Sequence, residues 1–99
     1  MTIEATAAKQ AIHDKLESQI KTAEAKLATL KARAEVAKAN AEVKAINDLL
    51  PRKEALHRKL QELKKSGEDH WEIVKKDLTV LIADFEKSVK EIEAKVKAH

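Results

Sequence analysis

Steps of four and three alternate without a miss through Leu16, Ile20, Ala23, Leu27, Leu30, Ala34, Ala37 and Ala41. This is the a/d repeat of a left-handed coiled coil, and it commits the first half of the chain to a helix with one apolar edge. Ile12 and Ile3 extend the edge less regularly toward the N-terminus. After Leu30 the seam narrows to alanine, so a partner helix must approach closely there. Beyond Ala41 the phase slips: Ala45, Leu49, Lys53 and Leu56 continue only with an extra step of four, a stutter that locally unwinds a supercoil. Leu56, Leu60 and Leu63 then resume the narrow stripe.

Two residues can interrupt this helix. Pro51 removes a backbone donor and crowds the preceding turn, so the helix must bend or break near it. A break would let Asn47 close one helix and Asp48 cap the next, with Pro51 harmless in a first turn. A kink within one long helix is favoured, because the apolar stripe runs through. The only glycine, Gly67, marks the reversal, within Ser66-Gly67-Glu68-Asp69. Lys64 and Lys65 suit a C-terminal dipole, Gly67 in the left-handed conformation would close the helix, and Asp69 with Glu72 would form a capping box for the next.

After the turn, Trp71, Val74, Leu78, Leu81, Phe85, Ile92 and Val96 recur at helical spacing, with Val89 between Phe85 and Ile92. Ile73, Val80 and Ile82 widen the face, which implies more than one neighbour. Glu72/Lys76, Glu86/Lys90, Glu91/Lys95 and Glu93/Lys97 are spaced for i,i+4 pairing on a solvated side. Trp71 is placed to anchor the turn against Leu60 or Leu63. One Trp, one Phe, no Tyr, one Gly and one Pro leave little material for strands or loops, and 37% charged residues complete a helical profile.

The expected fold is therefore all-α, a single helical coiled-coil domain over residues 1–99 built as an elongated antiparallel hairpin, kinked near Pro51 and turning at Ser66–Asp69. A three-helix bundle is the alternative, reached if Pro51 reverses the chain sharply. In the hairpin the first helix, up to residue 65, would be about 95 Å long and the second about 43 Å, so the return arm reaches back only to about residue 37. The heptads from Leu16 to Ala34 would then lack an intramolecular cover. That predicts a homo-oligomer, a dimer with antiparallel N-terminal arms first, and makes Leu16, Ile20, Leu27, Leu30, Trp71, Leu78 and Phe85 the partner-binding residues.

Chemistry is sparse. The absence of cysteine excludes disulfides and thiolate sites. His13 and Glu17, one turn apart, offer two ligands and no third, so no metal or cofactor is expected. Ser18, Ser66 and Ser88 have no His/Asp company, and most carboxylates have a cation one turn away, so no catalytic residue is assigned and no enzyme is expected. The net charge of +3 is spread over the chain. Residues 51–65 carry six basic and two acidic side chains, but without interleaved aromatics they read as solvated charge rather than a specific nucleic-acid site. Their amphipathic setting makes a lipid surface the competing partner class. Met1–Glu4 lacks a basic n-region leading into an apolar run, and no run approaches ~20 apolar residues, so a cytoplasmic protein is expected.

The stretch Leu60-Gln61-Glu62-Leu63-Lys64-Lys65-Ser66-Gly67-Glu68-Asp69-His70-Trp71-Glu72-Ile73-Val74-Lys75 is similar to the L-x-x-L-x-x-(S/G)-x-x-x-W-x-x-(L/V)-K segment of small bacterial coiled-coil proteins, some labelled as stress-response proteins. The Ala/Lys/Glu-rich first half resembles theirs too. The resemblance implies a soluble bacterial protein associated with stress and without assigned catalytic residues. Leu50-Pro51-Arg52-Lys53 departs from their uninterrupted helix. Together these readings predict a non-enzymatic structural or interaction protein acting through self-association and binding of other helices; peripheral attachment to lipid is the alternative.

Overall fold

Lys38 has a φ of 56°, the left-handed conformation that an L side chain enters at a cost of about 1 kcal/mol. The backbone around it explains why. The Ala39 N–H donates to the Ala34 carbonyl at 2.9 Å and the Lys38 N–H to that of Glu35 at 3.1 Å, the paired bonds of a Schellman closure, here with lysine in glycine's usual place. Ala34 and Ala39, the two residues such a closure brings together, are both buried. The chain therefore reverses at residues 37–39.

A computed structural model describes residues 3–97, with side chains from residue 7 onward. Within them lie α1 (Ile3–Val36), α2 (Asn40–Asp48), α3 (Leu50–Lys65) and α4 (Glu68–Lys97). The readings placed on the Ile3 side chain and on Met1 fall outside the described residues. α2 and α3 form one bent arm. Leu49 between them keeps helical dihedrals (φ −85°, ψ −13°), and its N–H donates to the Ile46 carbonyl at 3.0 Å. Pro51 sits in the first turn of α3, where a missing N–H leaves no intrahelical bond unmade. The bend expected near Pro51 falls at Leu49, where the helix is interrupted and Leu49 rather than Asp48 takes the cap position, so Pro51 sits in a first turn as a break would place it; the reversal is elsewhere.

The fold is all-α, and the three-helix bundle is the version that fits. α1 runs out, α2–α3 return, and α4 runs out again beside α1. Lys9 of α1 lies 5.3 Å from the Trp71 ring of α4, and Lys26 pairs with Glu93 at 2.9 Å, so these two helices are parallel. His57 of α3 hydrogen-bonds Glu24 of α1, tying the returning arm in place. The molecule measures 53 × 19 × 15 Å, the length of α1 and well short of a 95 Å arm.

The Ser66–Asp69 turn is present but closes differently from expectation. Ser66 leaves the helix in an extended conformation (φ −69°, ψ 140°), its N–H donating to the Leu63 carbonyl at 3.3 Å and its hydroxyl to that of Glu62 at 2.6 Å. Gly67 does not have positive φ. It precedes the first residue of α4, and its carbonyl accepts the Trp71 N–H at 3.0 Å, so the cap position belongs to Gly67 and Asp69 already lies inside the helix. Glu68 and Asp69 still place negative charge against the N-terminal dipole.

The core is a single column. Leu16, Ile20, Ala23, Leu27, Leu30 and Ala34 of α1 meet Ile46, Leu56, Leu60 and Leu63 of the returning arm and Trp71, Val74, Leu78, Ile82, Phe85, Val89, Ile92 and Val96 of α4. Among the described residues none that is polar or charged is buried. Ala37 and Ala41, which would continue the first seam, are exposed, because the seam ends at the reversal. Burying a Leu or Ile side chain is worth about 1.5–3 kcal/mol, so the five apolar side chains Ile46, Leu49, Leu56, Leu60 and Leu63 far outweigh the strain at Lys38.

Candidate functional site

The stripe assigned to partner binding is already occupied. Leu16, Ile20, Leu27, Leu30, Trp71, Leu78 and Phe85 are each 6% exposed or less, covered by the chain's own helices. The inference that residues 16–34 lack an intramolecular cover is overturned by the reversal at Lys38, which brings α2 and α3 back along α1. With it goes the inferred docking of N-terminal arms. Trp71 does anchor the turn region, lining a notch with Leu63, Lys9, Gln10 and His13, and the Lys9 and Lys75 ammonium groups lie 5.3 and 5.5 Å from its ring.

What α4 leaves outside is a different face. Ile73 is 59% exposed and Val80 54%, with Lys76 and Asp77 exposed between them. Each apolar residue follows a core residue, Trp71 or Leu78, by two positions, a rotation of about 200° that points it away from the core. Ile82, grouped with them in the sequence, is buried. Counting rotation from the seam separates the two sets, whereas counting apolar residues merges them. Ile73 and Val80 share a shallow depression with Glu72, Lys75, Lys76 and Thr79.

The basic segment of α3 has acids of α4 close by. Arg58 and Lys65 line an open groove together with Glu62 and Asp77, and Arg52 lines the next with Asp84, Lys87 and Glu91. Asp77, Asp84 and Glu91 recur every seventh residue along α4, so acids accompany the cations of α3 and dilute any field that phosphates would feel. Lys59 pairs with Glu62 at 3.3 Å. Glu93, between Lys26 at 2.9 Å and Lys97 at 3.7 Å, has its carboxyl held below the usual carboxylate range, chiefly by the hydrogen bond from Lys26.

Among the described residues, the histidine, glutamate and serines singled out in the sequence are not brought together. His13 meets Asp14 at 3.5 Å while Glu17 pairs with Lys21 at 3.2 Å, so the two candidate ligands turn to different neighbours. Among the described residues no three His, Asp or Glu side chains converge on one point. Ser18 and Ser88 line grooves without a histidine, and Ser66 spends its hydroxyl on the α3 terminus. No described helix is long and apolar enough to cross a membrane. Compared with family models, curated proteins and solved structures, the chain matches none of them.

Proposed function

We propose that this chain is a non-enzymatic structural or interaction protein that works by self-association and helix-to-helix binding, in the cytoplasm of a bacterium responding to stress. The observation that carries the reading is the outward placement of Ile73 and Val80 on α4, an apolar pair one helical repeat apart that the bundle itself does not use. Open, charge-lined grooves support the non-enzymatic half of the reading. The link to stress is supported only by the resemblance of residues 60–75 and of the Ala/Lys/Glu-rich first half to small bacterial coiled-coil proteins.

Attachment to lipid is the competing reading. It requires the bundle to open, because the α4 face from Trp71 to Val96 that would enter headgroups is covered in the closed state. Sedimentation equilibrium combined with vesicle co-sedimentation separates the two. Reversible growth in mass with concentration, without binding to phosphatidylglycerol vesicles, is the expected result. A strict monomer that binds those vesicles would contradict the proposal.

A further inference from the structure

The outer strip of α4 reads Ile73-x-x-Lys76-Asp77-x-x-Val80, and it has a property that single exposed apolar residues lack: it is complementary to itself when reversed. Laid antiparallel on a second copy about an axis between residues 76 and 77, Ile73 meets Val80 of the other molecule, Val80 meets Ile73, and each Lys76 meets an Asp77. A two-fold interface demands this self-matching, in which i faces j and j faces i. Lys76 and Asp77 are exposed; Asp77 also borders the groove that holds Arg58 and Lys65, yet among the described residues neither Lys76 nor Asp77 forms an ion pair within the chain.

The geometry points to a second copy of this chain as the occupant of the α4 outer face, docked antiparallel with Ile73 on Val80 and two Lys76–Asp77 ion pairs across the axis. This deepens the self-association reading and rests on it. Ridges formed by residues 73 and 77 and by 76 and 80 are both i,i+4 rows, whose interdigitation crosses helices at about −50°. That crossing confines contact to the central two turns and splays apart Asp69 and Asp84, which would otherwise meet as like charges. Two apolar side chains per molecule bury far less than the ~1,000 Å² of a stable interface, so the dimer is weak, with half-association on the order of hundreds of micromolar.

Charge exchange tests the register. Lys76→Asp and Asp77→Lys each bring like charges together across the axis, whereas the double exchange, or an equimolar mixture of the two single variants, rebuilds both ion pairs. Sedimentation equilibrium from about 10 µM to about 1 mM should show each single variant associating about tenfold more weakly, with the double variant and the mixture recovering. Circular dichroism checks that the bundle is intact, as expected for exposed positions. Association indifferent to these changes, or not restored by the exchange, overturns this interface and leaves self-association through another surface standing. No association of the parent chain at the highest concentration overturns both.

Discussion

Lys38 and Gly67 have exchanged the roles their residue types suggest. Lysine occupies the left-handed position at φ 56°, and the one glycine sits at a cap where its φ is not positive and where an added Cβ would meet nothing within 4 Å. Two substitutions follow. Lys38→Gly relieves the strain but loosens the unfolded chain, and should stabilise the bundle by no more than about 0.5 kcal/mol in urea unfolding. Gly67→Ser supplies a side-chain acceptor to the first turn of α4 and should add a few tenths to about 1 kcal/mol; a loss in either would show the local backbone to be wrong. Glu93 adds a pH dependence. Its carboxyl is held below the ordinary range, so its contribution is present above the unfolded-state value and fades as pH falls through the lower folded value. The stability gap between the parent chain and Glu93→Gln, measured by urea melts, should therefore be open at neutral pH and close in acid.

At the level of helices, the sequence reveals the parts better than the joints. The α1 seam from Leu16 to Ala34 is legible because burial there alternates steps of four and three, and so is the α4 seam except at one position, where Ile82 is buried and Leu81, the residue expected in the seam, is only half-buried. The joint at residues 37–39 is not, because it contains neither glycine nor proline, and its closure lies in backbone bonds that alanine and lysine do not advertise. Its trace is the phase slip after Ala41, which resembles a stutter if the helix is assumed to continue. Once the chain reverses, Ala39, Ile46, Lys53 and Leu60 keep a seven-residue repeat straight past Pro51, with Lys53 half-buried at the seam. Pro51 was thus a poor guide to the reversal, since a first-turn proline costs its helix little. Pro51→Ala should shift stability by less than about 1 kcal/mol, against the ~3 kcal/mol expected for relieving an interior proline. Leu56→Ala, at 1% exposure in the same arm, should cost about 2–5 kcal/mol. The outward Ile73 and Val80 were visible in the sequence as residues but not as a separate face, because apolar residues around α4 form an almost continuous belt.

For the molecule as a whole, the decisive quantity is how far apart the two ends of the first seam and the last helix lie. In the bundle Gln10 and Trp71 line one notch, while in a hairpin with a single arm to residue 65 they would be about 80 Å apart. The chain has one tryptophan and no cysteine, so Gln10→Cys carrying a fluorescent acceptor turns Trp71 into a single donor for a single distance. The measurement belongs in dilute solution of fully labelled protein, where transfer between molecules is suppressed. Strong quenching of Trp71 that persists on dilution is the result a self-covered three-helix bundle predicts. Absent transfer under the same conditions would mean that the returning arm does not lie along α1, and would contradict the fold and everything placed on its surface.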